Sequence, residues 1–324
     1  MRLAEIEEAY HILTMICEGD GQRVAERNLR RKGNIGSSSH GLDGIDWNSW
    51  TGRFHLDKVT MVGHSFGGAT TIEVVRDVVN FDFIGQAIVY DIWGVAVQPP
   101  EERERYRSSA PLLCINSEAF MYWPKNFESI KALCDEAKAH DALCWVMTLR
   151  GSVHVSQSDF SLLYPTISSM FLKMTCNPRR AMDLNINASL EFLKIVMPNN
   201  ISAINRATNE HLLKVEVLDK LPNENRPIDE KWIAMRLHIP HELALRLTPQ
   251  FVRRWTRRKK RQAMGKPLPR DPNGKVIDGL LDPAMGEEIW MHIAPTKDEI
   301  SRHEVNLREA GETDQSSHLS TESG

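Results

Sequence analysis

The chain of 324 residues contains no run of about 18 apolar residues, the length a bilayer-spanning helix requires, so no transmembrane span is predicted. It has no C-x-x-C pair. Its five cysteines (Cys17, Cys114, Cys134, Cys144 and Cys176) are odd in number and scattered. That excludes a disulfide framework or a zinc knuckle and argues for reduced, buried thiols in an intracellular, cytoplasmic protein. There is little charge bias. A net charge of -3 gives bulk electrostatics no reason to favour nucleic acid or an acidic partner. No histidine and carboxylate cluster has metal-ligand spacing, so no metal and no cofactor are expected. The stretch Met1–Tyr10 is charged and helix-like, without the apolar centre of a signal peptide. What is present is a chain with 41% hydrophobic residues, enough for a substantial core in one large domain or one domain with an appendage.

Apolar residues at Leu3, Ile6, Tyr10, Leu13, Ile16 and Cys17 recur at helical spacing, so the sequence opens in an amphipathic helix. Residues 20–57 are polar and rich in Gly, Ser and Arg, and read as a long surface loop. An alternating rhythm follows. Strands are predicted at Val59–Gly63, Phe83–Tyr90, Pro111–Asn116 and Leu143–Leu149, and helices at Ala69–Val79, Phe127–His140, Phe160–Met174 and Arg179–Val196. Short apolar strands between amphipathic helices predict an α/β fold, a mostly parallel sheet with helices on both faces. The pattern weakens after Pro198. The expected division is a catalytic domain at 1–198, an extension of uncertain structure at 199–301, and a disordered polar tail at 302–324.

The stretch with most chemical content is Gly63-His64-Ser65-Phe66-Gly67-Gly68, directly after the apolar run Val59–Val62. A G-x-S-x-G sequence between a strand and a helix is a nucleophile elbow, a sharp turn that holds a serine Oγ up at the edge of a sheet. A serine hydroxyl needs a histidine base, and the base needs an acid to orient it. In an α/β-hydrolase these follow in the order serine, acid, histidine, at the carboxyl ends of strands. His154, in Arg150-Gly151-Ser152-Val153-His154, follows the strand that ends at Leu149. Two acids fit the order: Asp91 ends one strand, and Glu118 follows the next. His64 is a second histidine, read as packing beneath the elbow.

These segments together, Gly63–Thr70, Asp91-Ile92-Trp93, Ile115-Asn116-Ser117-Glu118, Leu149–His154 with Asp159-Phe160, and the helix Ala188–Leu193, resemble the platelet-activating factor acetylhydrolase family, the lipoprotein-associated and intracellular type II phospholipases. The resemblance covers roughly residues 1–198. It implies an α/β-hydrolase fold and calcium-independent removal of short or oxidised sn-2 acyl groups, such as acetyl, from phospholipids. It implies Ser65 as nucleophile, Asp91 rather than Glu118 as acid, His154 as base, the Phe66 backbone N–H as one oxyanion donor, and Trp93 near the acyl pocket. The long C-terminal region is similar to that of fungal-type intracellular members.

The resemblance also implies strands ahead of the opening helix, one ending in a His-Gly-Leu-Gly-type loop that supplies the second oxyanion donor. The fold is therefore expected to be N-terminally truncated. Ser39-His40-Gly41-Leu42 stands in the wrong order and reads as a chance match. One missing donor costs about 10²–10³ in rate, so the chain as written is expected to be a weak catalyst. The alternative to an esterase is an impaired relative that only binds lipid or a partner. The basic run Arg253–Arg261 reads either as a contact for anionic lipid headgroups, or a nuclear localisation signal, or as a solvated basic helix. Arg30-Arg31-Lys32 reads as loop solvation. Tyr122-Trp123 reads as a loop packed on the core or as part of a lipid-facing entrance.

Overall fold

The computed structural model describes residues 2–28, 44–99, 110–197, 210–228, 231, 233–238, 255, 259, 263 and 288–321. Among the described residues five strands form one sheet in the order β1 (Val59–His64), β2 (Ile84–Tyr90), β3 (Leu112–Ser117), β4 (Cys144–Leu149) and β5 (Ile289–Ile293). The first four are parallel and β5 runs antiparallel to β4, with Leu149 opposite Ile289 and Met147 opposite Met291. All six residues of β3 and all six of β4 are buried. That is the near-continuous apolar run of strands covered on both faces.

The helices with described bounds include α1 (Arg2–Met15), α2 (Gly21–Arg27), α3 (Phe66–Arg76), α4 (Glu118–Met121), α5 (Pro124–Lys138), α6 (Phe160–Leu163), α7 (Pro165–Met170), α8 (Pro178–Val196) and α9 (Lys297–Thr321). Successive residues of a strand point to opposite faces. On β4, Cys144 meets Cys134 of α5, while Trp145 lies edge-on to Phe192 of α8, with ring centroids 5.5 Å apart. Thus α5 and α8 cover opposite faces of the sheet. Tyr10 of α1 stacks on Phe83 at 3.5 Å and fastens α1 beside the start of β2. Buried Arg76 joins α3 to α5 by a two-pronged bond to Glu136 and donates also to the Gln98 carbonyl. Removing one partner would strand a buried charge, which makes this pair a structural clasp.

The architecture is that of an α/β-hydrolase, with four differences from the sequence expectations. The region 20–57, read as a loop, contains α2 and a short 3₁₀ turn at Trp47–Trp50. The helix expected over 160–174 is broken into α6 and α7, because Pro165 has no N–H to give and forces Tyr164 out of helical geometry (φ -124°, ψ 57°). The extension expected apart from the catalytic domain supplies β5 to its sheet, and Val217 bridges to Met291. The tail expected to be disordered from 302 runs as helix α9 to Thr321. Its start is capped by Glu299, which accepts from the Thr296 N–H and hydroxyl, and His303 contacts the Val196 carbonyl. Polar composition alone favours disorder, but a capped first turn docked on a core supports a helix.

Candidate active site

Strand β1 delivers the chain to Ser65, whose φ of 60° and ψ of -126° lie outside the regions an L-residue favours. Holding a serine there costs about 1–3 kcal/mol, which the surrounding packing must supply. Gly63 makes the turn sterically feasible. A Cβ there would lie 2.4 Å from both the Gly67 carbonyl oxygen and Thr71 Oγ1. Gly67, by contrast, has open space around its Cβ position, so crowding does not account for it. Helix α3 starts immediately after the serine. Phe66 is its first residue, and its N–H has no intrahelical acceptor and stands at the helix's positive end.

The end of β2 delivers Asp91, fully buried and also at positive φ. Its carboxylate is saturated with donors. Oδ1 accepts from the Ser117 N–H; Oδ2 accepts from Ser117 Oγ at 2.6 Å and faces His154 Nδ1 at 3.0 Å. On its other side, His154 Nε2 lies 3.0 Å from Ser65 Oγ. A carboxylate only accepts, so the proton belongs on Nδ1, which leaves Nε2 free to accept the serine O–H. The imidazole is held between two rings. Phe120 stacks on it at 4.5 Å, nearly parallel, and His64 at 4.5 Å. Burial, then the neighbouring His154, push the His64 pKa down, which disfavours a charge on this ring.

The structure therefore brings Ser65, Asp91 and His154 into one hydrogen-bonded chain. His64 packs against the face of His154 and not only beneath the elbow. Glu118, the other acid of the sequence reading, does not meet His154. Its carboxylate turns toward the Gly151 N–H, Asn225 and Tyr122. Trp93 is 42% exposed and stands edge-on to Trp123 at 6.0 Å. Trp123 stands edge-on to Phe120 at 5.7 Å, so an aromatic wall runs up to the imidazole. Ser117 and Phe120 were not singled out in the sequence. The signal for Ser117 was available, since it ends the strand that lies beside the one carrying Asp91.

The loop at Ser39–Leu42 and the run Arg30–Lys32 lie outside the described residues. So does most of Arg253–Arg261, of which Trp255 and Lys259 are described and exposed, with Lys259 Nζ 4.0 Å from the Trp255 ring centroid. Among the described residues no group of three or more His, Cys, Asp or Glu is arranged to hold a metal ion, and no helix is long and apolar enough to cross a membrane.

A serine at a strained strand–helix turn, a buried carboxylate and an imidazole, set in that chain order at the carboxyl ends of parallel strands, define the α/β-hydrolase class. The family model described as platelet-activating factor acetylhydrolase, isoform II, matches residues 1–207, and the chain belongs to that family. Among similar curated proteins are platelet-activating factor acetylhydrolases of Gallus gallus, 35% identical over 154 residues, and of Canis lupus familiaris, 33% identical over 140 residues. The first match covers 46% of this chain and 34% of the chicken protein, and the second 43% of this chain and 29% of the dog protein. The bovine relative is 34% identical over 43% of this chain and 29% of its own length. The matched stretch thus spans about a third of the length of these relatives.

Proposed function

We propose that this protein is a serine carboxylester hydrolase that removes short or oxidised sn-2 acyl groups, acetyl foremost, from phospholipids such as platelet-activating factor. The observation that carries the reading is the continuous chain Ser65 Oγ, His154, Asp91 on the nucleophile elbow. Ser65 Oγ attacks the ester carbonyl carbon while His154 Nε2 takes its proton. The oxyanion forms against the Phe66 N–H at the start of α3. Collapse breaks the bond to the glycerol oxygen, which leaves with the proton from His154 and yields a lysophospholipid and an acyl-Ser65. A water, deprotonated by His154, then attacks the acyl carbon, and the carboxylic acid leaves as Ser65 recovers its proton. Asp91 holds the imidazole through Nδ1 and stabilises the positive charge that develops on the ring. Trp93 lines the acyl side of the site.

The test is release of acetate from an acetylated ether phospholipid by the purified protein, with and without a chelator. Oγ attacks directly, and the oxyanion is held by a backbone amide. Turnover is therefore expected to be the same in the chelator. Activity lost to the chelator and restored by calcium would refute the reading.

The substrate resides in a lipid–water interface, and the surface after the His154 turn suits one. Phe160, Leu162, Leu163, Tyr164, Ile167 and Phe171 are all large and exposed, Leu163 and Phe171 by about two thirds (66% and 65%). Such a cluster is unusual on a surface meant only for water. We take it as the face that rests on lipid, with Arg253–Arg261 as a peripheral contact for anionic headgroups. Replacing Leu163 and Phe171 together by Ser should lower hydrolysis of vesicle-borne substrate about tenfold or more, since burying each such side chain is worth about 1.5–3 kcal/mol. Hydrolysis of a dissolved short-chain ester should not change. Equal losses on both substrates would show that the two residues serve the fold instead. All five cysteines are free thiols, which supports action in a reducing compartment such as the cytoplasm.

A further inference from the structure

His154 projects from a turn whose first residues, Arg150 and Gly151, are held from several sides. Gly151 adopts a φ of +71°, and its carbonyl accepts from the N–H groups of Thr175 and Cys176 at 2.9 and 3.1 Å. A Cβ at 151 would lie 2.5 Å from Thr175 Oγ1. The Gly151 N–H donates to Glu118 Oε2. On the opposite oxygen, Glu118 Oε1 accepts from Asn225 Nδ2 at 2.8 Å and from the Tyr122 hydroxyl at 3.2 Å. The Asn225 N–H in turn donates to that hydroxyl oxygen at 3.2 Å. Glu118, Tyr122 and Asn225 are all buried.

The neighbouring residues repeat the pattern. The guanidinium of Arg150 is buried, paired with Glu224 and stacked over the Trp290 ring at 4.3 Å. The Arg150 N–H donates to the Glu288 carbonyl at 3.0 Å. Glu224, Asn225, Glu288 and Trp290 all lie beyond residue 207, where the family match ends. The segment after the matched region thus reaches back to the turn that carries the histidine.

We infer that Asn225, acting through Glu118, is a positioning residue for His154, and that the segment beyond residue 207 fastens the catalytic turn. Each of the three donors offsets part of the cost of burying the Glu118 carboxylate and fixes the direction in which it points. When Asn225 no longer donates, Glu118 loses a donor on Oε1, and its hold on the Gly151 N–H through Oε2 relaxes. The groups that face the His154 ring are then no longer presented at fixed distance: Asp91 from β2, Ser65 and His64 from β1 and its turn, and the apolar Phe120 ring from α4. Small displacements of a catalytic base cost rate steeply, about 10² for 1 Å. This inference rests on the esterase reading for its catalytic consequence, but its structural part is tested independently.

The experiment compares wild type, Asn225→Ala, Asn225→Asp, the double variant Asn225→Asp/Glu118→Gln, and Glu136→Gln. The double variant exchanges the carboxylate and the amide. The amide now at position 118 donates to the carboxylate now at position 225 and still accepts from the Gly151 N–H, while the Tyr122 O–H, which gave to Glu118 Oε1, turns to the new carboxylate. Two quantities are read: kinetics on a soluble ester, and the downfield proton resonance of the His154 Nδ1–H bonded to Asp91. Asn225→Ala and Asn225→Asp should lower kcat about tenfold with KM changed less than about twofold, because the defect lies in geometry at the reacting atoms rather than in binding. The resonance should broaden or move upfield. The double variant should recover most of both.

Glu136→Gln weakens the Arg76 clasp away from the turn. It should lower thermal stability without moving the resonance, which separates positioning from general loosening. Asn225→Ala adds no charge and decides the matter if Asn225→Asp does not fold. An unchanged resonance in Asn225→Ala, or a loss confined to KM, overturns the inference. A wild-type protein without esterase activity refutes the esterase reading instead, and the resonance, which needs no turnover, still decides on Asn225.

Discussion

On the proposed reading, Ser65→Ala should lower kcat on a dissolved short-chain ester by about 10⁴-fold or more, and Asp91→Asn by about 10⁴-fold, with both proteins expected to remain folded. Ser65 Oγ is the nucleophile that receives the acyl group in the proposed mechanism, so its loss leaves only the contribution of the oxyanion donor and binding. An amide in place of the Asp91 carboxylate keeps the shape but cannot hold Nδ1–H in the same way. The imidazole then takes the wrong tautomer and no longer offers Nε2 to Ser65 Oγ, 3.0 Å away. Glu118→Gln should cost about tenfold, because Glu118 touches the turn and not the imidazole. Steady-state kinetics on the three variants, with labelling by a fluorophosphonate that reacts at the serine, checks the ranking. A larger loss at Glu118 than at Asp91 would reverse the assignment of the acid.

A drop from pH 7 to pH 4 should remove about 3 kcal/mol of stability through His292. His292 lies on β5 with Nε2 2.8 Å from Thr148 Oγ1 and its ring edge-on to Phe127. Burial, then the charge of Lys131, lower its pKa from 6.5 to about 4. The folded-state value is below the unfolded one, so the unfolded chain binds the proton first as pH falls. The contribution is whole above about pH 6.5 and is lost progressively down to about pH 4. A tenfold difference in proton affinity between the folded and unfolded chain is worth about 1.4 kcal/mol, which gives the figure. His292→Gln keeps a partner for Thr148 without titrating. Urea unfolding at both pH values should show a loss smaller by about 3 kcal/mol in His292→Gln, and equal losses would show that another group controls the acid response.

Much of the protein is determined over short stretches of sequence, because the forces involved are short-ranged. The apolar runs that become β1 to β4 need only the contrast between β-branched residues and flanking turns. The elbow needs only Gly63 near a serine between a strand and a helix, and the strand ends at Tyr90 and Leu149 place Asp91 and His154 without knowledge of their partners. Even the break at Pro165 was written locally, in a ring that cannot donate.

Other features depend on residues far apart in the chain, and no local pattern carries them. Asp91 and Glu118 occupy equivalent strand ends. Which one meets His154 is decided by the pairing of β2, β3 and β4, which sets Asp91 beside Ser117 and turns Glu118 toward the Gly151 N–H. Strand β5 joins β4 from far along the chain, with His292 bonded to Thr148 across a separation of 144, and Asn225 reaches Glu118 across a separation of 107. Such contacts cost loop-closure entropy that only the assembled core offsets, so a polar extension and a single buried asparagine are brought to the turn that carries His154 only in the tertiary structure.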